Sequence, residues 1–263
     1  MVALEAKTLL LGQTFEAQQH IQWAYNLARK QAMYIWDAPI WPVSTPMHLA
    51  LRDRWLHHGE GEAGLYALLC RLDPYFYEKA QGHFREIVLG MMLHDFGKGL
   101  IGDNQVWKTP KAQLLNSPKM LIEKHVTIGL GLLKSFETSH QTIIHPFALD
   151  VVALHHEKLN GSGGPCKLRG NAIPWHGRLA AIIDQLISRL ELREYKNGYP
   201  NFDTLSHAFA DIDKDRGVLY DPDILDRITP LLDQLGHLIH KETVRDHLIP
   251  EVCYTRWSTA LNP

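Results

Sequence analysis

A chain of 263 residues with 45% hydrophobic content is long enough to bury one large core. Its 27 basic residues against 29 acidic ones leave a net charge of -2, which excludes the general electrostatic footprint of a protein for duplex nucleic acid or anionic membrane. Any anion it binds must be met by local lysines and arginines.

Three cysteines, Cys70, Cys166 and Cys253, are widely separated and odd in number, with no C-x-x-C spacing. Neither a disulfide framework nor a thiolate metal site is expected, and a cytoplasmic, reducing location fits. The N-terminal MVALEAKTLLLGQTF has a short apolar patch behind an acidic residue and no cleavage-site pattern, so it does not read as a signal peptide. No apolar run approaches membrane-spanning length. The Asn160-Gly161-Ser162 sequon is accordingly expected to stay unmodified.

In chain order, Ile21, Ala24, Tyr25, Ala28, Ala32 and Ile35 recur at helical spacing and predict a helix near residues 14 to 36, stopping at Asp37-Ala38-Pro39. The segment APIWPVSTP carries three prolines and reads as an extended connector. Residues 1–48 are expected to form an N-terminal helical cap and connector. Helical character returns from about Met47 to Leu72, with His57 and His58 beside a Gly-Glu-Gly-Glu-Ala-Gly run. Those glycines permit close approach of a neighbouring backbone or metal, while each weakens the helix by about 1 kcal/mol relative to alanine. On the next helix Ile87, Val88 and Met91 share a face that leads into His94-Asp95-Phe96-Gly97-Lys98. The adjacent imidazole and carboxylate offer two ligands to a divalent metal, Gly97 reads as the helix stop, and Lys98 offers a cation to a phosphate. With 16 histidines in the chain, a His-Asp step proves little by itself.

A polar stretch around Trp107-Lys108-Thr109-Pro110 leads to a helix near residues 117 to 135, on which His125 precedes Ile128, Gly129, Leu132 and Leu133. His155 and His156 end a further apolar helical run. Neighbouring side chains on a helix diverge by about a hundred degrees, so each could face a different ion. Glu157 reads either as a partner orienting one of these histidines or as a solvated helix-end acid. Asn160-Gly161-Ser162-Gly163-Gly164-Pro165 is a loop. Ile173-Pro174 opens another helix, with Leu179, Ile182, Ile183, Leu186, Ile187 and Leu190 as its core stripe. Asp184 lies beside that stripe, where a carboxylate is costly unless something pairs with it; a metal would do. Ile228, Leu231, Leu232, Leu235, Leu238 and Ile239 repeat the helical pattern. No strand alternation persists, and the fold is expected to be all-α.

The order of these motifs resembles the HD-GYP branch of the HD phosphohydrolase superfamily. The similarity lies in His94-Asp95-x-Gly97-Lys98, in His125 with Gly129, in His155-His156-Glu157 with the Asn-Gly-x-Gly-x-Pro loop, and in Asp184 on the following helix. It continues in Gly170 to Pro174, which resembles that family's Gly-x-x-Ile-Pro, and in Arg178 at a helix start. Arg193-Glu194-Tyr195-Lys196 is similar to its Arg-Pro-Tyr-Lys segment, and Tyr220-Asp221-Pro222 to its aromatic-Asp-Pro. The match covers roughly residues 50 to 240.

The resemblance implies that residues 49–263 form an HD-domain helical bundle with a metal centre in its core. It implies two, sometimes three, divalent ions, iron or manganese first, and hydrolysis of a cyclic dinucleotide, cyclic di-GMP, by a metal-bridging hydroxide. Zinc, nickel and cobalt are also compatible with imidazole and carboxylate ligands. Carried over by position, His94 and Asp95 are ligands with Asp95 bridging, Asp184 completes the first site, and His125, His155 and His156 complete the second. The family's upstream histidine falls on His57 or His58. We favour His58, because Ala63, Leu65, Leu69 and Cys70 then fall where small and apolar residues are expected. One turn before His58 stands Arg54, which disfavours a third ion; one turn before His57 stands Asp53. Lys98 would hold a non-bridging phosphate oxygen, and Arg178 would grip a phosphate or a guanine edge bidentately.

Gly163-Gly164-Pro165 stands where the family has Gly-Tyr-Pro. This removes no metal ligand and leaves open what the loop contacts, substrate or a signalling partner such as a diguanylate cyclase domain. Two alternatives accompany the phosphodiesterase expectation: an HD phosphohydrolase for another nucleotide or phosphoester, and a non-catalytic signalling module that keeps the fold.

Overall fold

The apolar residues spaced three and four apart over 21–35 do build a helix. In the computed structural model, which describes residues 2–38, 46–101, 123–190 and 203–238, helix α1 runs Val2–Trp36. It starts earlier than the apolar stripe because Ala, Leu, Glu and Lys, all good helix formers, fill its first turns. Ile21, Ala24, Tyr25, Ala28, Ala32 and Ile35 are all buried, so α1 is packed along that stripe. The proline connector lies outside the described residues at 39–45.

Helix α2 (Pro46–Leu72) passes straight through the glycine run. At Gly59 a Cβ would stand 2.6–2.8 Å from the backbone of Met92, so the missing side chain is what lets α2 press against its neighbour. The short α3 (Pro74–Lys79) is opened by Asp73, whose carboxylate accepts from the Tyr75 N–H, with Pro74 in the first turn. Helix α4 (Phe84–Leu93) is the centre of the molecule, buried at nine of its ten positions. Its large apolar side chains each contribute about 1.5–3 kcal/mol by leaving water.

A 3-10 turn, Phe96–Leu100, follows α4. Beyond it come α5 (His125–His140), α6 (Pro146–Leu154), α7 (Trp175–Leu190), α8 (Asp203–Asp213) and α9 (Pro222–Ile228). Helix α4 packs on α1, α2 and α6; the 3-10 turn packs on α2 and α5; α7 packs on α2, α6 and α8. The fold is an all-α bundle, and among the described residues the only β pairing is an isolated bridge between Arg216 and Tyr220. None of the described helices is long and apolar enough to cross a membrane.

The structure corrects several details. Gly97 does not stop α4, which ends at Leu93; it lies within the 3-10 turn. A Cβ on Gly97 would collide with the carbonyl oxygen of His125 and lie 2.5 Å from the Gly129 nitrogen, so Gly97 and Gly129 together let the turn sit on α5. Helix α5 continues to His140, and the expected start near 117, like Trp107-Lys108-Thr109-Pro110, falls outside the described residues. Helix α8 was not anticipated. The final apolar run is broken: α9 ends at Ile228, a 3-10 turn spans Thr229–Leu231 with Pro230 in it, and helix resumes over 232–238. Arg193-Glu194-Tyr195-Lys196 and Ile239 lie outside the described residues.

Candidate metal centre

Five elements deliver polar side chains to one point in the apolar interior. His58 and Glu62 come from one face of α2, a helical turn apart; His94 and Asp95 follow the end of α4; His125 begins α5. His155 and His156 follow α6, and Asp184 projects from α7. Their candidate ligand atoms form three overlapping groups, each within 4.8 Å: His58, Glu62, His94 and Asp184; His94, Asp95 and His155; and His125, His155 and His156. All but His156 are buried. Every site residue carried over from the resemblance except Arg178 and Lys98 is in one of these groups, and Lys98 ion-pairs with Asp95 Oδ2.

The distances have the scale of a coordination sphere. Atoms bonded at about 2.1 Å to one ion sit about 3 Å apart. Asp95 Oδ1 lies 3.2 Å from His125 Nε2 and 3.9 Å from His155 Nε2. Its other oxygen, Oδ2, lies 3.3 Å from His94 Nε2 and 3.9 Å from His58 Nε2. His58 Nε2 is also 3.6 Å from Asp184 Oδ1, and His156 Nδ1 is 3.7 Å from Asp184 Oδ2. The two oxygens of Asp95 thus face two separate sets of imidazoles.

Backbone carbonyls fix the tautomers. His94 Nδ1 is 2.7 Å from the Met91 carbonyl oxygen and His155 Nδ1 is 2.9 Å from that of Val152. A carbonyl can only accept, so each Nδ1 carries the proton and each neutral ring turns the bare lone pair of Nε2 inward. At His94 that lone pair confronts carboxylate oxygens of Glu62 and Asp95 at 3.2 and 3.3 Å. His155 Nε2 confronts His125 Nε2 at 3.2 Å. A lone pair facing anions is repelled unless a cation, a proton or a metal ion, lies between them, and two ring nitrogens at this distance need a proton or a metal ion shared between them. Glu62 Oε1 and Oε2, His94 Nε2 and Asp95 Oδ1 meet no donor or acceptor in hydrogen-bonding geometry although all are buried. Orphaned buried polar atoms of this kind, all of them good ligands to divalent ions, fit a metal centre.

Without metal, protons must stand in. Burial raises Glu62 to about 7, with His94 and His58 opposing. Burial works against a charged His94, yet Asp95 and Glu62 outweigh it and lift that histidine to about 9. Asp95 and Asp184 are held well below the usual carboxylate range despite their burial, Asp95 by His94 and Lys98, Asp184 by His58 and His156. Burial pushes His155 well down, and His156 adds to it.

The sign of the pH response follows. Glu62 and His94 keep their protons to higher pH in the metal-free fold than in the unfolded chain. Their contribution to stability is complete below the unfolded values and is lost as pH rises through 7 and then 9. His155 acts in the opposite sense, but its contribution is complete above about pH 6.5. Above about pH 6.5 Glu62 and His94 therefore make the metal-free centre less stable as pH rises, while a divalent ion, which displaces the same protons, binds more tightly. Melting at about pH 6.5 and about pH 8.5 should show a larger manganese-induced rise in Tm at the higher pH; an equal or smaller rise contradicts this assignment.

His57 turns away from the centre. It lies 3.3 Å from Glu60, which also binds Arg29 at 2.7 Å and so ties α2 to α1. The histidine in the ligand cluster is His58. His155 and His156 do not diverge: the helix ends before them, and both join His125, with ring centroids 4.1 Å apart. Glu157 is neither an orienting partner nor solvated. It is buried and accepts the backbone N–H groups of Cys166, Lys167 and Leu168 at 2.7, 3.1 and 2.8 Å, which closes the loop behind the histidines. Arg178 ion-pairs with Asp221, the residue whose carboxylate caps α9. Its guanidinium is a strut between α7 and α9 as well as a candidate for substrate. The residue that sequence reasoning missed is Glu62; the available signal was its spacing of four from His58.

The fold and this site place the chain in the HD-domain family, whose model matches residues 82–224, and to that family it belongs. The chain is 29% identical over 161 residues to a cyclic di-GMP phosphodiesterase of Thermotoga maritima, covering 61% of this chain and 41% of that one. It is 34% identical over 144 residues to the cyclic di-GMP phosphodiesterase response regulator RpfG of Xanthomonas campestris pv. campestris, covering 55% of this chain and 35% of that one. It therefore spans about two fifths of these relatives or less. Among solved structures it is similar to Bd1817, described as an HDG"Y"P protein of Bdellovibrio bacteriovorus, with a TM-score of 0.53 and 18% identity over 84% of this chain and 65% of that one. That likeness is one of fold.

Proposed function

We propose that the chain is a metal-dependent phosphodiesterase for a cyclic dinucleotide, cyclic di-GMP first. The observation that carries the reading is Asp95, whose two oxygens face two different sets of imidazoles across a buried centre. In this reading His58, His94, Asp95 and Asp184 hold one divalent ion, and Asp95, His125, His155 and His156 hold a second, with Asp95 shared. Iron and manganese suit the mixed oxygen and nitrogen ligands. The pair of ions would supply a nucleophilic water at neutral pH and neutralise charge on the phosphodiester.

The chain's own residues do the rest. The backbone carbonyls of Met91 and Val152 hold His94 and His155 in the ligating tautomer. Lys98 stands beside Asp95 with its ammonium 4.4 Å from the centre of the Trp55 ring, at the edge of the cluster, where it can meet a phosphate oxygen. The relatives' names support a cyclic dinucleotide as substrate. Arg178 supports a second reading, hydrolysis of another phosphoester, because its pairing with Asp221 leaves it less free to grip a guanine edge. Gly164 also lacks the tyrosine of the family motif, and the space around it is open. We place the protein in the cytoplasm, with a signalling protein as the partner of that loop. Incubating the manganese- or iron-loaded chain with cyclic di-GMP, other cyclic dinucleotides and linear phosphoesters tests the choice. Turnover of cyclic di-GMP above the others is expected, and turnover of a linear phosphoester alone would favour the second reading.

A further inference from the structure

Glu62 is a fully buried acid that the proposed ligand set does not use. Its Oε1 lies 3.3 Å from His58 Nε2 and 3.2 Å from His94 Nε2, both nitrogens of the first proposed site. Neither of its oxygens meets a donor in hydrogen-bonding geometry. A carboxylate placed this deep, facing two imidazole nitrogens out of hydrogen-bonding geometry, is among the costliest groups a core can hold, and it persists where a cation offsets it. The helix explains the placement: His58 and Glu62 are one turn apart on α2, so both side chains leave the same face toward His94. The acid stands one turn after the histidine, whereas one turn before it stands Arg54.

We infer that Glu62 is a ligand of the first ion, giving that site two imidazoles and three carboxylates, against three imidazoles and one carboxylate at the second. This rests on the dinuclear reading above. The two sites then differ in character. The first, rich in anionic oxygen, is the harder site and retains manganese; the second, rich in imidazole, suits softer divalent ions. Glu62 therefore sets both the charge and the metal preference of one half of the centre.

Manganese binding by the purified chain, measured as bound equivalents and by competition with a chelator, tests this together with the melting temperature of the metal-free protein. Glu62→Gln keeps the shape and removes the charge. It is expected to bind one of the two manganese ions at least about tenfold more weakly, while the metal-free variant melts at the same temperature as the parent or higher. A merely structural ion pair to His58 and His94 predicts the reverse: a lower melting temperature without metal and unchanged manganese binding, which would overturn the inference. Glu62→Asp keeps the charge but withdraws it by one methylene, and is expected to fall between parent and Glu62→Gln in affinity; affinity equal to the parent in both variants counts against ligation. A parent chain that binds no manganese would overturn the dinuclear reading itself, a result distinguishable from failure of the Glu62 assignment alone.

Discussion

Asp95→Asn is expected to leave the helical content intact while lowering phosphodiester hydrolysis by at least about 10^3-fold and removing at least one metal equivalent. The reason is geometric. Asp95 is buried at 1% exposure, and its two oxygens face the two halves of the centre. Asp184 also spans the two sets, but at 3.6 Å from His58 and 3.7 Å from His156, whereas Asp95 stands 3.3 Å from His94 and 3.2 Å from His125. Asparagine fills the same volume but offers one neutral oxygen and an amide that donates, and a donor pointed at an imidazole set cannot ligate beside it. Asp95→Ala goes further, since it leaves Lys98 without its carboxylate partner; removing one member of a buried pair costs about 3 kcal/mol. Circular dichroism, bound metal and turnover on the same preparations check both variants. Wild-type turnover by Asp95→Asn would remove Asp95 from the chemistry.

The second large effect is expected at a residue that ligates nothing. Gly97→Ala introduces a methyl group against the carbonyl oxygen of His125, 2.5 Å from the nitrogen of Gly129 and 2.9 Å from the carbonyl carbon of His125. All three are backbone atoms, so no rotamer change relieves the clash; either the 3-10 turn or α5 must move. The turn follows Asp95 and carries Lys98, and α5 carries His125, so any movement separates the halves of the centre. Overpacking of this kind costs about 2–3 kcal/mol, or a drop in Tm of roughly 5–10 °C, with weaker metal binding. Gly131→Ala, on α5 with nothing near the added methyl, provides the contrast and is expected to be neutral or stabilising by up to about 1 kcal/mol. Equal melting temperatures for the two variants would show that the close approach at Gly97 is not what holds the turn in place.

These two residues mark what the sequence could and could not reveal. The helical fold was legible because its apolar stripes are long and regular, as in α1 and α7, where nearly every expected core residue is buried. His94, Asp95, His125, His155, His156 and Asp184 were legible because several motifs occur in a recognisable order, and the structure brings all six into one cluster. In sequence Gly97 reads as a helix stop, since a glycine after an apolar run usually is one; its actual contact is with a helix 28 residues further along, which no local pattern records. Arg178 and Asp221 are likewise 43 residues apart, and only folding shows that the candidate substrate ligand already has a partner.

Glu62 was hidden for a different reason. A run of glycine and glutamate looks like a weak, solvated stretch by propensity, yet tertiary packing of Gly59 against Met92 carries the helix through it and turns the acid inward. In sequence Glu157 reads either as a partner of the histidines or as a solvated acid, and neither reading anticipates the three backbone N–H groups of the returning loop that neutralise it inside the fold.

The measurement that tests the central claim most directly is elemental analysis of the chain purified without chelator, joined to cyclic di-GMP turnover on the same sample with manganese or ferrous iron restored. The account predicts two metal equivalents per chain and hydrolysis that disappears in Asp95→Asn. A chain that folds but binds no metal would contradict it.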